Sequence, residues 1–487
     1  MEESVTYINK LLSAECAPFK CEFTQAKGRT LRVQESSRQC EILFKGPLLH
    51  KVAEDVKHPM YIELVRLFHF DSSDSLDYGP MWYWCALNSL SFRISEDLPV
   101  ISEDQSKQLK MLYHPQGRGP SATIRRVAEA IQPFLTHELS ELELIELDTL
   151  TIIWTLNCFE HSEDPLTYAS FFLPSFMSHS CAPTAMWTTI GDTFFIRTQR
   201  CMQPGDELTV SYLSEEFGLR PTDHRRRHLQ STKFFICDCP RCTAEVDDTR
   251  GFPIPSRLRF PSTCFVRFPK FDKCACGCGK HVDMSQEEID EFLSLESRLV
   301  HLVVEYDGDE DEIPAKPDPL RLGSHAAADK LQRLVDDMGS FHWASTRGLL
   351  QLAEFYRSKA MYPQAIALTK RRIVIRRKWI KMAPGDTSSG LAWALEELGD
   401  LVLLHVSGAV VAGDGDEARE RFSDNWSPRS AEDLETLKFS GAAEAYREAV
   451  EILCNVFGED HENTKIAISK LARLSSKLDA KLGSDVS

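Results

Sequence analysis

The chain has 487 residues, more than a single hydrophobic core usually holds, so about two to four domains are expected. Its hydrophobic content of 43% excludes wholesale disorder. A net charge of −17 argues against direct nucleic-acid binding, which depends on neutralising phosphates, and favours basic partners such as lysine-rich proteins.

Two further observations concern the compartment. The sequence has no run of about 18 apolar residues, so no membrane span is expected. The acidic start Met-Glu-Glu-Ser lacks the basic and apolar parts of a secretory signal. The 15 cysteines are therefore expected to be thiols or metal ligands of a cytoplasmic or nuclear protein.

The N-terminal half alternates between strand-like and helical patterns. Short apolar runs broken by glycine and proline predict strands from Cys21 to about Val52. Residues from about 55 to 145 read mainly as helices, and apolar periodicity predicts a helix over residues 138–160. Strand patterns return over residues 167–213.

A strong turn signal, Gln203–Asp206, separates two strand-like runs near the end of this region. In the second run Leu208, Val210 and Tyr212 share one face, because side chains alternate along a strand. Tyr212 is therefore expected to point inward with the apolar face.

The sequence becomes helical after about residue 283. Residues 349–375 and 440–474 each predict a helix, a turn and a helix. Their alanines lie where helices would approach closely, which favours a tetratricopeptide-like stack, although the period is irregular. Two acidic segments, Glu305–Pro319 and Asp414–Ser430, read as loops.

The motif CDCPRC places Cys237, Cys239 and Cys242 within one short segment. Three thiolates this close together suit a tetrahedral structural zinc, which needs a fourth ligand. The alternative is a set of separate thiols, and zinc is the favoured interpretation in an intracellular chain. Spacing alone does not name the fourth ligand.

A second group of cysteines follows, with Cys274, Cys276 and Cys278 alternating on a glycine-rich segment. Cys264 lies upstream and His281 just after. These residues could bind another zinc ion or form a reduced, solvent-facing loop, and spacing does not decide between the two.

Five motifs in this order resemble the SET-and-MYND (SMYD) family of SET-domain protein lysine methyltransferases. They are AKGRTLRV (26–33), LNCF (156–159), SHSCAPT (178–184), PGDELTVSY (204–212) and HRRRHLQSTKFFICDCPRC (224–242). The resemblance covers most of the chain. It implies an α+β protein with a SET-type β-fold, a helical insert, a cysteine-rich post-SET zinc segment and an all-α tetratricopeptide-like C-terminal domain.

The same resemblance implies domain limits. These are an N-terminal SET part (20–52), a helical insert in place of the MYND finger (53–145), a SET core (146–230), a post-SET segment (231–283) and a helical domain (284–487). The MYND finger is expected to be missing because residues 53–145 contain one cysteine, Cys85.

The resemblance also implies a site for S-adenosylmethionine, whose carboxylate would meet the charges of Lys27 and Arg29. The remaining cofactor-binding residues would be Gly28, Asn157, Ser178, His179 and Phe235. Tyr212 would lie at the point of methyl transfer, and Cys181 would complete the zinc site of Cys237, Cys239 and Cys242. Lys27, His179 and Tyr212 are thus expected to converge on one cofactor.

The function implied is methyl transfer to a lysine of a histone or another protein. The alternative is a catalytically weak SET-fold scaffold that binds protein partners through its helical domain. Three residues depart from the family motifs: Ser178, Thr184 and Lys233. Ser178 and Lys233 favour the scaffold, whereas His179, Cys181 and Tyr212 favour the enzyme. A plastid-type SET enzyme is a third possibility, against which the cysteine tail argues.

Overall fold

The computed structural model describes residues 2–70, 76–115, 119–163, 165–304, 322–382, 389–407 and 439–484. The described residues divide into two compact units. The first unit holds those up to residue 179 together with 184–210, and the second holds 180–183 and those from 211 onward.

The first unit combines six helices with ten strands within the described residues. Its helices are α1 (Glu2–Ala14), α2 (Pro59–Phe70), α3 (Pro80–Leu87), α4 (Glu103–Met111), α5 (Ala122–Ile131) and α6 (Glu141–Asn157). Its strands are β1 (Phe19–Thr24), β2 (Gly28–Val33), β3 (Ile42–Pro47), β4 (His50–Ala53), β5 (Phe159–Glu163), β6 (Leu166–Ser170), β7 (Ser178–His179), β8 (Ala185–Ile190), β9 (Thr193–Thr198) and β10 (Thr209–Val210).

These strands form small sheets rather than one continuous sheet. β1 and β2 make an antiparallel hairpin, and the other two antiparallel sheets have the orders β3-β9-β8 and β4-β6-β5. β7 and β10 pair in parallel although 29 residues lie between the end of β7 and the start of β10. The predicted turn at Gln203–Asp206 is present, with Gly205 in the left-handed region at φ +91°.

The helix α6 shows how the sequence sets these elements. Ser140 and Glu143 form a capping box that satisfies backbone N–H groups at the start of the helix. Leu147 and Leu150 lie on the face that is buried in the core of the first unit. The helix predicted over 138–160 is thus confirmed, with shorter ends.

The second unit is mainly helical. Its helices are α7 (Glu215–Gly218), α8 (Thr222–Lys233), α9 (Gln286–Val304), α10 (His325–Met338), α11 (Trp343–Ser358), α12 (Tyr362–Met382), α13 (Ser389–Ser407), α14 (Phe439–Val456) and α15 (Glu462–Ser484). A short antiparallel hairpin, β11 (Gly251–Pro253) and β12 (Phe265–Arg267), precedes α9.

Close helix packing in this unit depends on small residues, as the alanine pattern predicted. A Cβ atom on Gly399 of α13 would lie 2.6 Å from the ring of Tyr446 on α14. The Tyr446 hydroxyl donates a hydrogen bond of 2.6 Å to Asp400, and Ala449 of α14 is fully buried. Both predicted helical hairpins are confirmed, as α11–α12 and α14–α15.

The α+β class with a helical C-terminal part is therefore confirmed. The tetratricopeptide-like character and the five domain limits stay predictions. The acidic segments Glu305–Pro319 and Asp414–Ser430 lie outside the described residues. No helix within the described ranges combines the length and apolar character that a bilayer span requires.

Candidate functional site

The β1–β2 hairpin carries the first group of predicted cofactor-binding residues. Gly28 adopts φ +71°, a left-handed conformation that glycine takes without a steric cost. Lys27 forms an ion pair with Glu207, with Nζ 2.8 Å from Oε2. The Arg29 guanidinium lies 4.7 Å from the ring centroid of Phe176, and burial lowers the pKa of Arg29. Both cations thus have partners in the protein.

The parallel pair β7–β10 joins two of the sequence motifs. Ser178 lies opposite Thr209, and His179 opposite Val210. Thr184 fastens the same motifs together, because its hydroxyl accepts the Thr209 N–H at 2.8 Å and its own N–H donates to the Thr209 hydroxyl at 3.1 Å. The threonine that departs from the family motif therefore has a clear structural role.

Asn157, the last residue of α6, is 9% exposed. Its amide nitrogen donates to the backbone carbonyls of Tyr113 at 2.9 Å and Ile153 at 2.8 Å. These contacts use both amide protons, so Asn157 could serve a ligand only as an acceptor, through its amide oxygen.

Tyr212 belongs to the second unit and is paired with Phe235. The two ring centroids are 6.3 Å apart and the rings are nearly perpendicular, an arrangement that aromatic quadrupoles favour. The prediction that Tyr212 points inward is wrong, because its exposure is 39%. The strand ends at Val210, two residues before Tyr212, so strand alternation no longer sets the direction of the side chain.

Four cysteines of the second unit form a buried cluster. The Sγ atoms of Cys181, Cys237, Cys239 and Cys242 all lie within 4.8 Å of one another. Cys181 Sγ is 4.0 Å from Cys237 Sγ and 3.5 Å from Cys242 Sγ. Zinc with Zn–S bonds of about 2.3 Å in a tetrahedron holds sulfurs about 3.8 Å apart. The cluster therefore fits a zinc ion, and Cys181 is the fourth thiol that spacing alone did not identify.

Crowding changes the acidity of these thiols. Contact with the Cys237 thiol, above all, raises the pKa of Cys181. The Cys181 sulfur lowers the pKa of Cys239 and brings that of Cys242 to about 7. The pKa of Cys237 is raised as well, so two of the four thiols are harder to deprotonate. A bound zinc ion would favour the thiolate form of all four, because thiolate is the form that binds zinc.

Two arginines hold the cluster in place. Arg225 is fully buried, and its guanidinium lies 3.6 Å from Cys242 Sγ. Burial by itself lowers the pKa of Arg225, but the sulfurs of Cys181 and Cys242 outweigh burial and raise it. Arg241 donates to the carbonyls of Cys181 at 3.1 Å and Gly218 at 2.9 Å.

Neither arginine is among the site residues that the sequence predicted. Arg225 lies in a run of basic residues, HRRRH, that normally indicates a solvated helix face. Arg241 lies inside CDCPRC, a motif whose cysteines alone were predicted to have a role. No local signal distinguishes an arginine that will be buried against thiolates from an exposed one.

The cluster also supports the aromatic pair. Leu213, the neighbour of Tyr212 in the chain, is buried in the hydrophobic cluster that the four cysteines form with Leu229. Phe235 packs against the same cluster. The cysteines therefore fix the backbone on both sides of the Tyr212–Phe235 contact.

A second group of four cysteines is also brought together. The Sγ atoms of Cys264, Cys274, Cys276 and Cys278 lie within 4.8 Å of one another. Cys264 is thus the fourth member of this cluster, and His281 is not part of it.

The predicted cofactor-binding residues and the predicted catalytic residue, Tyr212, divide between the two units. Lys27, Gly28, Arg29, Asn157, Ser178 and His179 belong to the first unit, and Tyr212 and Phe235 to the second. Their convergence on one cofactor stays a prediction.

Comparison with known families matches residues 28–213 to the SET domain. The chain is 31% identical over 113 residues to N-lysine methyltransferase SMYD2 of Sus scrofa, a match that covers 22% of this chain and 25% of that protein. It is 34% identical over 91 residues to SMYD2 of Gallus gallus, covering 19% and 20%. It is 32% identical over 80 residues to protein-lysine N-trimethyltransferase SMYD5 of Homo sapiens, covering 16% and 19%.

The chain therefore spans a quarter or less of the length of these curated relatives. Among solved structures, the SET domain of LSMT bound to lysine and AdoHcy aligns with 90% of this chain and 99% of that one, at 11% identity and a TM-score of 0.29. A score this low does not bear on the fold or the site.

Proposed function

This chain contains a SET domain, and we therefore propose that it acts as an S-adenosylmethionine-dependent protein-lysine N-methyltransferase. Its substrate would be a lysine side chain of a histone or another protein. The relatives that share part of its sequence carry the names of lysine methyltransferases.

One arrangement carries the proposal. The pairing of His179 with Val210 fixes SHSCAPT beside PGDELTVSY, and Tyr212 follows Val210 by two residues. Two extended residues span at most about 7 Å, so the chain cannot carry Tyr212 far from the end of this strand pair. Both motifs end within the range matched to the SET domain.

The residues of the first unit fit the polar groups of S-adenosylmethionine. Lys27 and Arg29 supply positive charge for a carboxylate. The amide oxygen of Asn157 can accept from an ammonium group, since its amide protons are engaged. Gly28, Ser178 and His179 would complete the binding site, and Phe235 would cover the bound cofactor.

When bound, S-adenosylmethionine supplies a methyl group on a positively charged sulfur, so no protein nucleophile is needed. Tyr212 and Phe235 would form the wall along which the substrate lysine enters. Apolar rings disfavour the charged ammonium and lower the lysine pKa, which keeps the amine neutral and nucleophilic. The Tyr212 hydroxyl would orient the amine as positive charge moves onto its nitrogen.

The buried cysteine cluster would hold a structural zinc ion. Four protein ligands leave no open position for a reacting water, which is typical of structural rather than catalytic zinc. Its contribution to function would be to position Leu213 and Phe235, which flank Tyr212.

The test combines binding and turnover. Calorimetry should show S-adenosylmethionine binding to zinc-loaded protein, and transfer of labelled methyl groups should be screened on arrays of proteins. Tyr212→Phe should lower transfer by roughly 100-fold and leave the cofactor affinity unchanged. Tyr356→Phe in α11 is the matched control and should retain full transfer.

The alternative is a SET-fold scaffold without turnover. It is supported by the engagement of Lys27 with Glu207 and of the Asn157 amide with the backbone, together with Ser178 and Lys233. If the zinc-loaded protein fails to bind S-adenosylmethionine, the enzyme proposal is abandoned, and binding of protein partners to the helical part becomes the function to pursue.

A further inference from the structure

The second cysteine cluster has the dimensions of a metal site. Cys276 Sγ lies 3.4 Å from Cys264 Sγ and 3.2 Å from Cys274 Sγ. These separations are far longer than a disulfide bond of about 2.05 Å. They lie close to the roughly 3.8 Å between sulfurs around a tetrahedral zinc ion. The four thiols therefore need little movement to surround one ion.

The backbone holds these thiols in place without a metal. The Cys274 N–H donates to the Lys280 carbonyl at 3.0 Å, which closes the loop that contains Cys276 and Cys278. Gly277 and Gly279 take positive φ values of +92° and +70°, so the loop can turn tightly between its cysteines.

The same loop is tied to the strand that follows Cys264. The Ala275 N–H donates to the Phe265 carbonyl at 2.8 Å, and Phe265 is the first residue of β12. Cys264 directly precedes that strand, so it faces the loop cysteines through this contact. An ion bound here would fasten β12 to the loop with metal–ligand bonds.

The two cysteine clusters differ in exposure. All four cysteines of the first cluster are buried, whereas Cys276 and Cys278 of the second are exposed. An ion held partly by exposed thiolates can be approached by water and by chelators, but an ion inside the buried cluster cannot. The difference in exposure therefore predicts a difference in the rate of metal exchange.

We propose that Cys264, Cys274, Cys276 and Cys278 bind a second zinc ion at the surface, and that this ion exchanges faster than the one in the buried cluster. Thiolate ligands select zinc among the abundant divalent ions, because magnesium and calcium prefer oxygen. This site is independent of the methyltransferase proposal, since neither its ligands nor its geometry involve the cofactor-binding residues.

The experiment measures zinc per chain by atomic emission on the full chain purified with zinc. Wild type should contain two ions, and Cys276→Ser and Cys278→Ser should each contain one. Cys201→Ser is the matched control, because Cys201 is exposed and lies in neither cluster, and it should keep two ions. Cys278→His, which preserves a zinc ligand, should restore the second ion.

Exchange is followed by adding a chromogenic chelator to the same proteins. Wild type should release one equivalent of zinc quickly and one slowly, and Cys276→Ser should retain only the slow equivalent. The proposal is overturned if Cys276→Ser leaves the zinc content unchanged, or if mass spectrometry of the native protein finds these cysteines as disulfides. Calorimetry with S-adenosylmethionine on the same samples reports separately on the proposed function.

Discussion

The carboxylate of Glu215 accepts a hydrogen bond from the backbone N–H of Gly390, 175 residues further along the chain. It also accepts the Ser389 hydroxyl at 3.1 Å, so it satisfies donors at the start of α13. The neighbouring Glu216 pairs with Arg347 of α11. The helical part of the second unit thus anchors the segment three residues after Tyr212.

Loss of this anchor should reduce stability and turnover together. Glu215→Gln removes the negative charge at a helix N-terminus, which should lower the free energy of unfolding by about 1 kcal/mol. Methyl transfer should fall more than cofactor affinity, because the segment carrying Tyr212 loosens. Urea denaturation and steady-state kinetics measure the two effects. Glu444→Gln, an exposed change in α14, is the control, and equal midpoints for the two variants would exclude the anchoring role.

Glu207 should compete with the cofactor for Lys27. Partly exposed ion pairs contribute up to about 1 kcal/mol, so Glu207→Gln should tighten S-adenosylmethionine binding by up to about fivefold. Lys27→Met should weaken it. Calorimetry at low and high salt checks both, since salt screens the pair.

The control for this prediction is Asp192→Asn, which breaks the comparable ion pair with Lys51 in the same unit. It should leave the cofactor affinity unchanged. A weaker affinity in Glu207→Gln would mean that Glu207 positions Lys27 instead of competing for it.

Removal of a ligand from the buried cluster should be strongly destabilising. Cys181→Ala should lose one zinc ion and lower the free energy of unfolding by more than about 4 kcal/mol, the range reached when a metal site is lost. Cys21→Ala, a buried cysteine outside both clusters, should keep its zinc and lose much less stability. Zinc analysis and thermal denaturation distinguish the variants, and unchanged zinc in Cys181→Ala would remove Cys181 from the site.

A buried acid should govern stability at low pH. Burial by itself raises the pKa of Glu296, but hydrogen bonds from His342 and Arg250 outweigh it and bring the pKa to about 2. Nδ1 of His342 accepts the Ala344 N–H at 3.2 Å, which leaves Nε2 to donate to Glu296, and burial lowers the pKa of His342.

Since the folded pKa of Glu296 lies below its unfolded value of about 4.3, its contribution is complete above that pH and is lost as the pH falls toward 2. The complete loss should be about 3 kcal/mol, of which about 1.7 kcal/mol falls above pH 3. Glu296→Gln should lower stability at neutral pH and flatten this acid dependence, measured by urea denaturation between pH 7 and 3. Glu451→Gln, exposed on α14, should retain the wild-type curve; the same curve for Glu296→Gln would contradict the assignment.

Local spacing was sufficient to predict many elements. The periodicity of α6 and of the helical pairs α11–α12 and α14–α15 is set by residues within a few turns of one another. Cys237, Cys239 and Cys242 are close in space because they are close in the chain, so CDCPRC by itself indicated a thiol cluster.

For residues that are distant in the chain, packing of the folded protein decides which of them come into contact. Cys181 lies 56 residues from Cys237, and only the folded chain shows that their sulfurs are 4.0 Å apart. Strand alternation predicted an inward Tyr212, but the strand ends too early, and the ring is exposed beside Phe235.

The sequence by itself thus determined the order of the motifs, the helical C-terminal part and three thiols of the first cluster, because these depend on periodicity and short spacing. The tertiary structure decided the fourth thiol of this cluster, the burial of Arg225 against its sulfurs, and the hydrogen bond from Gly390 to Glu215. The physical reason is that a long-range contact forms only when many elements pack together. A short segment of sequence therefore does not predict which distant residues will meet.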